Sequence, residues 1–364
     1  KTETKTETKP DGTKVETKNE TETNKDGSKV ESETRTETKK DGTVTENKTE
    51  TITSKDGTKS ETESETKTDK NGVTSGKETT KTTTANGSTG MTVTTIENGE
   101  SKTEAAVKVS GKAVEDAKKN GEAVKAPVEV EASRNSNTAP TVKVELPKGT
   151  GETKVEIPVS NATPGTVAVL VHPDGTEEIV KNSVPTENGI QLTVDGSATV
   201  KIVDNSKGFI DTQDHWAKDA IDFVSARGLV NGMSATIYAP NNSTTRAQLW
   251  TILARQNDAD LSGGATWYEN AQNWAKDKGV SDGANPNAAI NRAQMVTMLW
   301  RAMGQPAVGS AANFIDVPAD TYYAGAVSWA VENGITTGIG NGKFDPTATC
   351  TRAQIAAFLA RSMK

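Results

Sequence analysis

A single cysteine, Cys350, stands in this chain of 364 residues, so no disulfide can staple the fold from within. A lone thiol just before a helix start reads as a small packing residue rather than a nucleophile. Histidine occurs twice, at His172 and His215, far too sparsely for a zinc centre, and no other cluster suggests a metal or cofactor. Aromatics make up 4% of the chain, and the first of them is Phe209. Whatever precedes that residue is held together without aromatic packing. Apolar residues are 32%, against roughly 45–50% in an ordinary globular chain when Gly is counted, so part of the sequence cannot have a normal core. No apolar run approaches the roughly 20 residues that span a bilayer. The opening "KTETKTETKP" has neither an initiator Met nor a signal-peptide core, which suggests a piece of a longer polypeptide whose export signal lay upstream or was removed. A net charge of −7 with no basic block argues against nucleic acid as a partner.

What residues 1–90 do contain is a repeat. Asp-Gly or Asn-Gly recurs every fifteen residues, at Asp11, Asp26, Asp41, Asp56, Asn71 and Asn86. Read as two-residue type I′ turns, these join strands of thirteen alternating residues, each about 43 Å long, with Thr on one side throughout. That register sets Glu22 opposite Glu31, Glu20 opposite Glu33 and Lys18 opposite Arg35, which is unfavourable. Two readings therefore stand: an up-and-down β-ribbon, or a charged disordered spacer with too little burial to offset its ordering entropy. Either would act as a stalk.

Residues 91–204 break into short alternating runs such as "TVKVELP", "TVAVLVH" and "IQLTVD", separated by turn signals at 173–175 and 187–189, and predict a small all-β sandwich-like domain. "AVEDAKKNG" at 113–121 adds a short helix stopped by Gly121. His172 sits at a strand end and is expected to be half-buried.

Residues 205–364 switch to a helical period and repeat one pattern three times. Each copy opens on an aromatic, Trp216, Trp267 or Tyr322, followed at helical spacing by Ala220 and Phe223, Ala271 and Trp274, or Ala326 and Trp329. This periodicity predicts that the three opening aromatics are core. Gly-containing turns follow at 228–232, 279–283 and 334–338, the first Gly of each ending the helix. Pro240, Pro286 and Pro346 then precede Thr245, Asn291 and Thr351, each with a Gln three residues on, which is a capping box. Arg246, Arg292 and Arg352 occupy the first helical position, where the helix dipole disfavours a cation. Beside free helix-start N–H groups they would form anion sites; alternatively they pair with acidic residues between lobes.

These motifs resemble the S-layer homology family. The third copy has "FIDV" at 314–317, "WAVENGITTG" at 329–338, "KFDP" at 343–346 and "TRAQ" at 351–354; the first has "FIDT" at 209–212, "HWAKDAI" at 215–221, "YAP" at 238–240 and "TRAQ" at 245–248. The second lacks the Phe-x-Asp opening, has Asn291 for Thr, and is five residues shorter between Gly283 and Asn291, which would leave its groove shallower or inactive. The resemblance implies domains at 205–258, 259–304 and 305–364, an all-α trimer of modules with pseudo-threefold symmetry. It also implies a ligand: a secondary cell-wall polysaccharide linked to peptidoglycan, often ending in pyruvylated N-acetylmannosamine. Carried onto this chain, the groove residues would be Arg246, Arg292 and Arg352 with Asn231, Gly232, Asp282, Gly283, Thr337 and Gly338. The implied location is the cell wall or surface layer of a Gram-positive bacterium, with self-association in that layer.

Three functions of different class follow. A stalked, non-covalent wall anchor fits the triple pattern and the spacer best. A lattice-forming surface-layer protein is the alternative. A wall-degrading enzyme would need paired carboxylates or clustered His, and no Ser, Cys or carboxylate motif accompanies His215 or His172.

Overall fold

In the computed structural model, which describes all 364 residues, the chain divides into two units, Lys1–Asp204 and Asn205–Lys364. The first is β-rich. Strands β1 (Thr2–Thr8), β2 (Lys14–Thr23), β3 (Lys29–Thr38), β4 (Val44–Thr53), β5 (Lys59–Thr68), β6 (Thr74–Thr83), β7 (Thr89–Glu97) and β8 (Glu100–Lys108) run up and down in one antiparallel sheet. The repeat is thus an ordered ribbon, with ten-residue interior strands rather than thirteen.

The register differs from the one that two-residue turns would give, and the difference removes the charge clash. Between β2 and β3 the loop is the three residues Lys25–Asp26–Gly27: the Asn24 N–H donates to Ser28 O at 2.9 Å, and only Gly27 is left-handed, at φ 91°. The Asp26 carboxylate accepts from the Ser28 N–H at 2.9 Å, so Asp closes an Asx-type turn instead of adopting positive φ itself. One residue of slip flips each successive strand to its other face. Glu22 now lies opposite Val30, Glu20 opposite Ser32 and Lys18 opposite Thr34. Thr does not keep to one side; on each face, Thr-rich strands mostly alternate with charged ones. Charges instead pair along a strand, two residues apart, as in Lys18–Glu20, Lys29–Glu31, Lys48–Glu50 and Lys59–Glu61. Where β5 meets β6, Glu61 faces Lys81 and Glu65 faces Lys77. By contrast, Asn98–Gly99 between β7 and β8 is a two-residue loop with both φ angles positive, 52° and 82°.

Strand β7 runs through residue 90, so the ribbon continues without a break into the sheet that covers the sandwich. Beyond α1 (Gly111–Asn120) and β9 (Val124–Lys125) come β10 (Thr141–Glu145), β11 (Thr153–Pro158), β12 (Thr166–Val171), β13 (Glu177–Ile179), β14 (Val184–Pro185), β15 (Gly189–Val194) and β16 (Ser197–Asp204). The main sheet extends β8-β10-β16-β12-β13, and a second sheet, β14-β15-β11-β9, contributes to the same core. Alternating Val142, Val144, Val155, Ile157, Ile190 and Ile202 fill that core, with Ala113, Val114 and Ala117 of α1 packed into it. Gly121 ends α1 at φ 69°.

Burial does not explain the ribbon's order, since both faces of β3 and β5 are at least partly solvated; ladder hydrogen bonds and cross-strand pairs do. Amide exchange of the intact chain should therefore show protection on the order of a hundredfold or more in β2 to β7. Exchange at unprotected rates over residues 14–83 would mean that the segment is a disordered spacer.

The second unit contains α2 (Lys218–Ala226), α3 (Arg246–Gln256), α4 (Glu269–Asp277), α5 (Arg292–Ala302), α6 (Ala324–Glu332) and α7 (Arg352–Ser362). Each short helix packs against the long helix of the preceding copy: α4 on α3, α6 on α5, and α2 on α7. The loops ahead of the long helices meet in a closed cycle. Ile290 N–H donates to Thr244 O at 2.8 Å, Cys350 N–H to Ile290 O at 2.9 Å, and Thr244 N–H to Cys350 O at 3.3 Å. Cys350 is fully buried at this cycle, and burial pushes its thiol up to about 12, consistent with a packing role.

Candidate functional site

All three long helices begin with complete capping boxes, Thr245 with Gln248, Asn291 with Gln294 and Thr351 with Gln354. Their N-termini are nevertheless not anion sites. The Arg246 N–H already donates to Ala288 O at 2.9 Å and the Ala247 N–H to Pro286 O at 2.9 Å; Arg292 and Ala293 do the same to Ala348 and Pro346, and Arg352 and Ala353 to Asn242 and Pro240. The expectation of free helix-start N–H groups is thereby corrected: the next copy's loop consumes them.

The arginine side chains also reach into the next copy, where Nε of each donates to a loop carbonyl: Arg246 to Ala284 at 2.7 Å, Arg292 to Phe344 at 2.8 Å, Arg352 to Tyr238 at 2.9 Å. Each guanidinium lies over an aromatic ring, Arg246 over Trp250, Arg292 over Phe344 and Phe358, and Arg352 over Tyr238. All three are buried. At Nη2 the copies diverge. Arg246 bonds Ser281 Oγ at 2.9 Å and the Asp282 carboxylate at 2.5 Å; Arg352 bonds Asn231 O at 2.7 Å; the buried Arg292 Nη2 has no partner. A backbone hydrogen bond from Ala284, with the Arg246 charge also contributing, holds Asp282 below the usual carboxylate range.

Of the remaining expected residues, Gly232 and Gly338 are constrained by packing. A Cβ on Gly338, at φ 81°, would stand 2.6 Å from the Phe314 ring, and one on Gly232 would stand 2.5 Å from Phe209. Gly283 O accepts from Gln272 Nε2 at 2.7 Å, and Thr337 is exposed.

The opening aromatics are not core. Trp216, Trp267 and Tyr322 are 64%, 65% and 59% exposed, because α2, α4 and α6 start two residues further on and leave each ring ahead of the helix, off its inward stripe. Tyr322 lies within electrostatic reach of Arg301 and Arg246: burial and Tyr323 push its phenol up while the two arginines pull it down. Tyr322 of the third copy thus stands within electrostatic reach of Arg246 of the first, which in turn bonds the second copy's loop at Ser281 and Asp282.

Sequence reasoning missed two structural sets. Asp211 and Asp316, of the Phe-x-Asp openings, clamp the strained turns before Pro240 and Pro346. Asp211 accepts from the Tyr238 and Ala239 N–H groups at 2.9 and 2.7 Å, and Asp316 from Phe344 and Asp345 at 2.9 and 2.8 Å. Ala239 and Asp345 are left-handed, both at φ 58°. The second copy lacks the Asp and places Asn285, a residue that tolerates φ 51°, at the matching position. Burial raises both carboxyls, but the backbone donors outweigh it and hold them below their ordinary value. A depressed folded pKa stabilises above the unfolded value of about 4, and that contribution is lost as pH falls through the lower folded value. Asp316→Ala should therefore cost on the order of 2 kcal/mol at neutral pH, with the gap to wild type closing toward pH 3 in urea titrations. The second set is Arg255, Arg301 and Arg361, each bonding the turn carbonyl of its own copy at Leu229, Val280 and Ile335. Both histidines make local contacts, His172 with Glu178 and His215 with the Ala217 N–H and Asn241.

Residues 208–249 and 313–356 match the S-layer homology domain. The chain carries S-layer homology domains. The second copy lies between the two matched regions. Among relatives, the chain is 31% identical over 172 residues to an amylopullulanase of Thermoanaerobacterium thermosulfurigenes, covering 42% of this chain and 9% of that protein. It is 29% identical over 178 residues to the exoglucanase XynX of Acetivibrio thermocellus, covering 43% of this chain and 16% of that one. It is 28% identical over 173 residues to an S-layer protein of Bacillus thuringiensis subsp. finitimus, covering 42% of this chain and 20% of that one. The chain thus spans at most a fifth of these proteins, and the enzymes share only the S-layer homology region with it. S-layer homology domains bind cell-wall polymers and anchor proteins at the cell surface, which places this chain outside the cell.

Proposed function

We propose that the chain is a non-enzymatic wall anchor. Its three S-layer homology copies form a pseudo-threefold trimer of modules, at 205–258, 259–304 and 305–364, that holds a secondary cell-wall polysaccharide ending in a pyruvylated sugar. The observation that carries this reading is the exposure of Trp216, Trp267 and Tyr322 at matching positions, since large aromatic faces left in water suit stacking on sugar rings. The closed hydrogen-bond cycle supports the trimeric arrangement. Arg246, Arg292 and Arg352, with Asn231, Gly232, Asp282, Gly283, Thr337 and Gly338, form the grooves, and a guanidinium fork suits a pyruvyl carboxylate. The ordered ribbon serves as a stalk. A lattice-forming role is the second reading, favoured by the fully exposed edge strand β1, which could pair with another copy.

Co-sedimentation of the chain with Gram-positive walls, before and after acid extraction of the secondary polymer, tests the anchor. Binding should disappear with the polymer. Binding that survives extraction would make peptidoglycan itself the ligand.

A further inference from the structure

The second sheet of the first unit ends in an open rim. Its outermost strand, β9, continues as residues 126–132 alongside β11, and only alternate residues of that stretch bond to it. The Ala126 N–H donates to Glu156 O at 2.8 Å and the Val130 N–H to Pro158 O at 3.1 Å, while Val130 O accepts from the Ser160 N–H at 3.1 Å. Ala132 is held at both backbone groups by the Asn161 side chain, at 2.7 and 3.0 Å. Pro158 has no N–H to give, so Val128 is passed over. Glu129 and Glu131 turn their N–H and C=O groups the other way, where no group of the chain meets them.

A groove of about 540 Å³ lies along this rim. Thr80, Thr92, Thr94, Ser101 and Thr103 of β6, β7 and β8 form its floor. The charged residues lining it are Glu78, Glu129 and Glu131, with no Lys or Arg among them. Gly90 of β7 brings rim and floor together, since a Cβ there would collide with the Pro127 carbonyl. The floor is tied across its strands, Thr94 to Thr103 and Thr80 to Thr62, through hydroxyl pairs at 2.9 Å.

We propose that this groove takes an extended, lysine-bearing peptide, which adds to the second sheet as one more strand beside residues 128–132. The unpaired backbone groups of Glu129 and Glu131 supply its ladder. Val128 and Val130 are buried whereas Glu129 and Glu131 are exposed, and an added strand keeps that alternation. Its small or β-branched side chains face the hydroxyl floor, and its lysines stand outside, opposite the two glutamates. An acidic strand in the same place would set like charges side by side. The rim is therefore open to pairing but selective by sign, which turns away the Glu-rich strands of other copies.

Fluorescence anisotropy of the intact chain with a labelled Thr-Lys-Thr-Lys-Thr-Lys-Thr peptide tests this, against the same peptide with Glu in place of every Lys. The lysine peptide should bind at least about tenfold more tightly, and its affinity should fall as salt is added. Glu129→Gln, which removes a charge and keeps the N–H, should weaken binding about threefold; Glu129→Pro, which removes both, should weaken it at least about tenfold further. A lysine peptide N-methylated along its backbone makes the same test without altering the protein, and should bind wild type as weakly as the plain peptide binds Glu129→Pro. Amide exchange at Glu129 and Glu131 should slow when the plain peptide is bound. No binding of the lysine peptide, equal affinity for the acidic one, full affinity of the N-methylated one, or unchanged exchange at both glutamates overturns the proposal.

Discussion

Replacing Trp216, Trp267 and Tyr322 together by Ala should lower wall binding by at least about a hundredfold while leaving the fold in place. The expectation follows from their exposure of 64%, 65% and 59%: little packing is lost when they are truncated, and surface substitutions of that kind usually move stability by about 0.5 kcal/mol or less each. A stacked aromatic that anchors a ligand is worth on the order of 1 kcal/mol or more, so three of them amount to roughly two decades of affinity. Co-sedimentation gives the binding and Trp fluorescence the stability, the latter through the remaining Trp250, Trp274, Trp300 and Trp329, all in the helical unit. Unchanged binding with the rings gone would remove the main support for sugar stacking.

Arg352→Ala has the opposite profile: a large loss of stability that would look like a loss of binding. It removes donors from Tyr238 O and Asn231 O, strips the guanidinium from the Tyr238 ring, and opens a gap between the third copy and the first. With the buried Tyr238 carbonyl left unpaired, the Asn231 carbonyl losing its partner and the guanidinium packing gone, the helical unit should lose about 3 kcal/mol, read as a shift in urea midpoint by Trp fluorescence. Arg352→Lys, which keeps the charge and part of the packing but not the fork, should fall between. A midpoint within about 0.5 kcal/mol of wild type for the Ala variant would mean that the arginine is a surface ligand contact and not a bridge between copies.

The helix starts were legible because a capping box is a local rule: Thr or Asn, then Gln three residues on, needs no knowledge of the rest of the chain. The left-handed caps at Gly228, Gly279 and Gly334 were legible for the same reason. The ribbon's register was not, because Asp-Gly and Asn-Gly serve two loop lengths. Asp26 bonds forward to Ser28 and builds a three-residue loop, while Asn98 takes positive φ and builds a two-residue one. The aromatics were misplaced because helical spacing was extended two residues beyond the true helix start, where Ala217 rather than Trp216 is buried. The role of the repeated Arg could be narrowed but not decided from spacing, since its partners lie in the next copy, 35 to 121 residues away. Arg255, Arg301 and Arg361 did carry a readable signal: each follows the helix-start Arg by nine residues.

If the helical unit reads a carboxylate on a wall sugar, removing that charge should weaken binding. This is tested by comparing the affinity of the intact chain for the pyruvylated N-acetylmannosamine glycoside with its affinity for the methyl ester of the same compound, identical in the sugar ring but with a methyl group in place of the charge. The affinity for the ester should be at least about tenfold weaker, the loss expected when a guanidinium donor meets a neutral acceptor. Equal affinity for acid and ester would contradict it and leave the arginines as bridges between copies alone.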